Sequence, residues 1–385
     1  MLKRPRSSWV LRRHGSRVVE WLPHDVVEMI LERLPVESLL RSRSVSKKWK
    51  STIDSRRFKE RQLMCRRSSR GPDVLCVYLT YHGDDGLDTD AQRIEIGSSI
   101  ASTIRFPTPP RLYCHGSCDG LLCFYYVYEP NVSVVVNPVT RWHQSFPLSS
   151  FQHLLIDKLK KGELGYGIAQ LGFGKDKVRG TYKPVWLYNS SPFGLDNATT
   201  CEVFDFSTNA WRYVVPASPF QIPGNHKPVY LDGSLYWFTH CEETKLLSFD
   251  LHTETFQVIC KAPFAHKCDT LQLTMCILDN RLCVSQKNWP NQVIWSFDSC
   301  GGSKTWKKMC SIDLTKTFSW FGETNWPLLP IAVLDKNKLL LQGHDYVNTL
   351  VIHDLHTKSY DLLFKPTKCL AAVYYFQSLL SVLPH

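Results

Sequence analysis

The chain has 385 residues, of which 43% are apolar and 21% charged, the balance of a folded protein of two or three domains. That composition excludes wholesale disorder, and no apolar run approaches the roughly 20 residues a membrane-spanning helix needs. The formal net charge is +11, but residues 1–70 hold 19 Lys/Arg against 7 Asp/Glu, and the remaining 315 residues hold 27 against 28. The positive charge therefore belongs to the first segment, and the rest is electrically near neutral.

Residues 1–19 read as a basic N-terminal extension. Lys3, Arg4 and Arg6 form a short cluster of the kind found in nuclear addresses, and no apolar stretch of a secretory signal is visible. Fourteen cysteines in such a chain read as reduced thiols, which places the protein in the cytosol, the nucleus or both. No C-x-x-C pair occurs. Cys114, Cys118 and Cys123, with His115, make the tightest cluster, in a strand-like stretch where buried thiols are ordinary core residues. No metal and no cofactor are expected.

Residues 20–65 carry the pattern of three short helices. Pro23 suits the first turn of a helix, where a missing N–H costs nothing, and Asp25 and Glu28 place acids near its positive end. Val27, Ile30, Leu31 and Leu34 recur at helical spacing, and Pro35 stops that helix. A second turn carries Leu39 and Leu40. Val45, Trp49 and Ile53 repeat every four residues on a third helix, with Lys47, Lys48 and Lys50 off that face. About 45 residues make a poor independent core, so these apolar faces are expected to meet a partner.

Residues 70–385 read as β-structure, rich in Tyr, Trp, Phe and Val and cut by turn residues. VYLDGSLYWFTH (229–240) places Asp232-Gly233 between two strands, a strong hairpin signal. CILDNRLCVSQ (276–286) and VLDKNKLLLQG (333–343) repeat the design. A second element also recurs: apolar strand, Asp or Asn, polar turn, aromatic, strand. It occurs at Asn137, Asp205, Asp250, Asp298 and Asp354, and the four Asp positions are 45, 48 and 56 residues apart. Such periods point to propeller blades, about six of them, with 371–383 completing the first blade and closing the ring. A large β-sandwich array is the structural alternative. The expected fold is thus a short helical module followed by a large β-propeller-like repeat domain.

The helical run resembles an F-box, read from Leu22-Pro23 through Ile30-Leu31, Leu34-Pro35, Leu39, Val45 and Trp49, with Ser46 where many members carry Cys. The larger part resembles the plant F-box-associated interaction domain. GSCDGLLCFY (116–125), NPVTRWHQSFP (137–147), LGFGKDKVRGTYKPVWLYNS (171–190) and FQSLLSV (376–382) carry that likeness. Lys175 stands where the third signature often has an aromatic. The resemblance implies a substrate-recognition subunit of an SCF-type ubiquitin ligase. Leu22, Pro23, Val27, Ile30, Leu31, Leu34, Pro35, Leu39, Val45 and Trp49 would dock the Skp-family adaptor, and through it cullin and RING subunits. The β domain would recruit an unknown protein substrate.

No catalytic pattern accompanies these motifs: H-E-x-x-H, G-x-S-x-G and the P-loop are all absent. A non-catalytic adaptor is the expected role, with no membrane partner. The alternatives are a nucleic-acid binder using the basic segment, and a propeller enzyme with groups converging in its channel. Loops 190–200, 216–226 and 286–292, with Phe193, Phe220, Trp289 and Pro290, are the candidate target-binding positions.

Overall fold

The structure is a computed structural model that describes residues 22–69, 73–78, 88–94, 101–107, 113–125, 133–163, 169–224, 226–264, 269–298, 305–322, 326–334, 337–343, 348–365 and 370–382. The basic extension 1–19 and Trp21 lie outside the described residues.

Four helices come first. Helix α1 (His24–Glu32) follows Pro23, whose carbonyl accepts the N–H groups of Val26 and Val27. Pro35 stands in the same relation to α2 (Val36–Ser42), accepting from Ser38 and Leu39. Ser46 caps α3 (Lys47–Asp54), its hydroxyl accepting the Trp49 N–H at 3.1 Å. The Ser found in place of the usual Cys is thus a functional helix cap. The sequence reading stopped at three helices, but a fourth, α4 (Arg56–Ser69), runs past residue 65. Its buried side is Phe58, Gln62 and Leu63, and the glutamine in the middle interrupts the apolar periodicity.

Among the described residues, six four-stranded antiparallel sheets stand beyond α4. Blade one begins with β1 (Asp73–Tyr78), β2 (Asp88–Ile94) and β3 (Ala101–Pro107). Blade two is β4 (Tyr113–Cys118), β5 (Leu121–Tyr125), β6 (Ser133–Asn137) and β7 (Trp142–Phe146). Blade three is β8 (Gly172–Lys175), β9 (Tyr182–Asn189), β10 (Thr199–Asp205) and β11 (Ala210–Tyr213). Blade four is β12 (Val229–Leu231), β13 (Ser234–Phe238), β14 (Lys245–Asp250) and β15 (Phe256–Lys261). Blade five is β16 (Leu273–Leu278), β17 (Arg281–Asn288), β18 (Asn291–Asp298) and β19 (Thr305–Asp313). Blade six is β20 (Leu329–Leu334), β21 (Lys338–Gln342), β22 (Leu350–Asp354) and β23 (Tyr360–Phe364). Finally β24 (Leu370–Tyr375) pairs antiparallel with β1 and becomes the inner strand of blade one, as expected from 371–383. The inner strands β24, β4, β8, β12, β16 and β20 neighbour one another in a closed ring. The fold is a six-bladed propeller. Among the described residues, no helix is long and apolar enough to cross a membrane.

Turn chemistry builds the blades. Asp232 and Gly233 both take positive φ, 53° and 89°, as a two-residue hairpin turn requires. Asp119-Gly120 and Asp279-Asn280 do the same in blades two and five. The recurring Asp closes the outer hairpin of its blade. The Asp205 carboxylate accepts from Ser207 N, Asp250 from His252 N and Thr253 N, and Asp354 from His356 N and Thr357 N, all at 2.7–2.9 Å. Asn137 makes the equivalent turn in blade two. The turn after Asp298 lies outside the described residues.

The Gly-Phe-Gly of β8 has a steric cause. A Cβ on Gly172 would lie 2.8 Å from Leu235, and one on Gly174 would run into the Tyr230 ring and lie 2.7 Å from Leu251. Both glycines let blade four close on the inner strand of blade three. Gly174→Ala is expected to cost about 1–3 kcal/mol through overpacking, read as a lowered melting temperature.

One helix stands between blades two and three: α5 (Ser150–Lys160), which the all-β reading of 70–385 did not anticipate. Ser149 and Gln152 form a capping box, and the Glu202 carboxylate accepts the N–H groups of Ser150 and Phe151 at 2.9 and 2.8 Å. Phe151 anchors the helix in an aromatic cluster with Trp186 and Tyr188.

Candidate functional site

Three places on the molecule carry candidate function. The first is the outer face of the helical module. Its inner face, formed by Val27, Leu31, Val36, Leu39, Ile53 and Phe58, is a closed apolar cluster with Leu34, Leu40 and Trp49 at its edge. The ten sequence-picked residues are therefore divided. Val27, Leu31 and Leu39 are buried, Leu34 and Trp49 half-buried, and Leu22, Pro23, Ile30, Pro35 and Val45 exposed. Leu22 and Ile30 are 47% and 48% exposed, beside the similarly open Val26 and Met29. Four large apolar side chains open to solvent on one short helix and its approach form a patch that monomeric surfaces rarely leave uncovered. Lys47, Lys48 and Lys50 are also exposed, on α3.

The second place is the junction between module and propeller. Because strands alternate in direction, the turns at Asp119, Arg179 and Val139 share one end of the propeller, where β24 also ends. The helices sit at this end. Leu379, just past β24, completes the module's apolar cluster, and Val139 packs beside it. Gln377 donates to the Glu37 carboxylate at 2.7 Å. The Asn137 amide donates to the carbonyls of Ser378 and Leu380, both at 2.9 Å, while its own oxygen holds the turn at Val139 and Thr140. At Gly120 any Cβ would run into the Phe376 carbonyl and the Ser378 side chain. The NPVTRW, DGLL and FQSLL signatures therefore meet at one point, and each is explained by the close fit there.

Asp119 is the hub of this junction. It pairs with Arg67 of α4 at 2.7 Å and with Lys175 at 3.3 Å, and accepts the Tyr182 hydroxyl at 2.9 Å. Burial, with the Asp119 charge adding to it, pushes the Tyr182 phenol well above its usual range, so it stays a donor. Lys175 also approaches Glu60 of α4 at 3.8 Å. The lysine that departs from the familiar signature thus works as a bridge between the halves. Asp119→Asn keeps the turn but removes the charge facing Arg67 and Lys175. It is expected to lower stability by about 2–4 kcal/mol, measured by denaturant unfolding.

The third place is the opposite end of the propeller. The second-to-third hairpins and the links between blades emerge there, α5 among them. Phe193, Phe220 and Trp289 all lie at this end. Phe193 is packed against Phe151 and Tyr188, ring centres 5.6 and 5.7 Å away, so it is a structural residue. Phe220 is half-buried with the Lys245 ammonium 4.9 Å above its ring. Trp289, 50% exposed at the β17–β18 turn, is the one of the three with an open face.

Cys114, Cys118 and Cys123 are buried free thiols, and desolvation raises all three, Cys114 to about 12. Among the described residues, no group of His, Cys, Asp or Glu is arranged to hold a metal ion. Leu379, Gln377 and Asp119 escaped the sequence reading, since their roles depend on contacts between distant segments.

A family model for the F-box domain matches residues 19–61, and one for the F-box associated beta propeller domain matches residues 78–382. F-box protein At1g11270 of Arabidopsis thaliana is 59% identical over 303 residues, covering 78% of this chain and 95% of that protein. The Arabidopsis F-box/LRR-repeat/kelch-repeat protein At1g09650 is 52% identical over 383 residues, covering 95% of this chain and 98% of that one. Among solved structures, a hypothetical selenium-binding protein from Sulfolobus tokodaii aligns with a TM-score of 0.44 at 11% identity, over 78% of this chain and 75% of that one. The chain belongs to the plant F-box proteins that carry an F-box-associated β-propeller.

Proposed function

We propose that this protein is the target-recognition subunit of an SCF-type ubiquitin ligase. The exposed patch of Leu22, Val26, Met29 and Ile30, framed by Pro23, Pro35 and Val45, docks a Skp-family adaptor, and cullin and RING subunits follow through that adaptor. Val27, Leu31 and Leu39 hold the patch in shape from beneath. The end of the propeller opposite the helices holds the protein target. The observation that carries this reading is the open apolar patch on α1, on a module whose other side is fixed to the propeller.

The protein's contribution is geometric. It holds target lysines near a ubiquitin-conjugating enzyme, which raises their effective concentration without a catalytic residue of its own. The test is affinity purification from cells with the proteasome blocked, comparing wild type with Ile30→Asp. Both chains should capture the same target proteins, while the wild type alone brings adaptor and cullin. Equal adaptor recovery from the two would contradict the reading.

A further inference from the structure

A cleft of about 410 Å³, open on one side, lies at the junction between the first turn of α4 and the β8–β9 turn. Asp54, Arg56, Lys59 and Glu60 line it from the module, and Lys175 and Gly180 from blade three. Tyr182, Leu380 and Val382, all buried, add an apolar lining. Arg56 is fixed in place there. Its guanidinium lies over Gly180, where any Cβ would collide with it, and its Nη2 donates to the Arg179 carbonyl at 3.5 Å.

The carboxylates of this region already have cations. Asp54 pairs with Arg43 at 2.9 Å, and Glu60 with Arg56 at 3.1 Å and Lys175 at 3.8 Å. Lys175 also meets Asp119 at 3.3 Å, and Asp119 pairs with Arg67 at 2.7 Å. Lys59 stands apart. Among the described residues its ammonium has no ion pair, and the Asp54 charge reaches it only at a distance. Its side chain is half-buried, and that burial holds the ammonium below the ordinary lysine range, with Asp54 opposing the shift and Arg43 adding to it. The lining groups and their partners amount to five cations, Arg43, Arg56, Lys59, Arg67 and Lys175, against three carboxylates, Asp54, Glu60 and Asp119. The surplus positive charge sits in a recess with apolar walls, where it is screened less than at an open surface.

We propose that this cleft binds a phosphate group, free or carried by a small metabolite, with Lys59 as its main contact and Arg56 and Lys175 beside it. A phosphate brings close to two negative charges near pH 7, and its oxygens accept hydrogen bonds from several directions at once. A carboxylate brings one charge and matches the surplus less well. Because α4, the β8–β9 region and the tail after β24 all line the cleft, the bound group bridges the helical module and the propeller and stabilises their contact. Such a site is independent of adaptor and target binding.

The experiment is calorimetric titration of the full chain with inorganic phosphate, and separately with ribose 5-phosphate, at constant ionic strength. Wild type should bind at least one of them at one site per chain, and saturation should raise its melting temperature. Lys59→Met and Lys59→Gln should each weaken binding roughly tenfold or more, while Lys59→Arg retains it. Lys365→Met, which removes an exposed lysine just past β23, should bind as wild type does. Binding of inorganic phosphate as tight as that of ribose 5-phosphate supports a free-ion site, and tighter binding of ribose 5-phosphate supports one for a phosphorylated metabolite. Failure of folded wild type to bind either overturns the proposal. So does binding that Lys59→Met and Lys59→Gln leave unchanged, which would mark phosphate held by the overall positive charge of the chain.

Discussion

A chain ending at Phe376 is expected to lose both its junction and a stable helical module, although the described strands β1 to β24 remain encoded. The deleted tail supplies Leu379 to the module's core, Gln377 to Glu37, and two carbonyls to the buried Asn137 amide. Leu379→Ala alone should cost about 2–5 kcal/mol, the usual penalty for emptying a buried leucine site. The full deletion leaves Asn137 unsatisfied as well, adding about 1–3 kcal/mol. Limited proteolysis should cut the deleted chain within α1–α4 while the propeller resists. Equal resistance of the helices in both chains would show that the module stands without the tail.

The second large effect separates neighbours on α1. Leu31 is buried and Ile30 is 48% exposed. Leu31→Ala should lower stability by about 2–5 kcal/mol. Ile30→Asp should change stability by no more than about 0.5 kcal/mol, yet weaken adaptor binding by about 2 kcal/mol or more, as loss of a central apolar anchor does. If the two variants behaved alike in unfolding and in binding, the division of α1 into a core side and a docking side would be wrong.

Much of this architecture was legible in the residues because it rests on local chemistry. Asp232-Gly233 announces its hairpin by the φ it must adopt, and the Asp or Asn of each outer turn accepts N–H groups two and three residues away. Repetition of that turn gave the blade period. The helix starts at Pro23 and Pro35 follow from missing N–H groups. What stayed hidden depends on distant segments. α4 escaped because Gln62, buried against the Leu34 carbonyl, breaks an apolar pattern that tertiary contacts complete. α5 carried a capping box in Ser149 and Gln152, a local signal overridden by the β-rich sequence around it. The docking residues divided for a related reason. Helical spacing marks which residues share a face, but whether that face turns inward depends on what packs there, and Leu379 lies more than 300 residues away. Phe193 resembled an exposed loop aromatic, and the presence of α5 made it a packing residue.

The proposed adaptor docking on α1 is tested most directly by a calorimetric titration of the purified full chain with a Skp-family adaptor. Wild type should form a one-to-one complex, and Ile30→Asp, with an unchanged melting temperature, should bind roughly 30-fold more weakly or not measurably. A wild-type chain that is folded and does not bind, or an Ile30→Asp chain that binds as tightly as wild type, would contradict it.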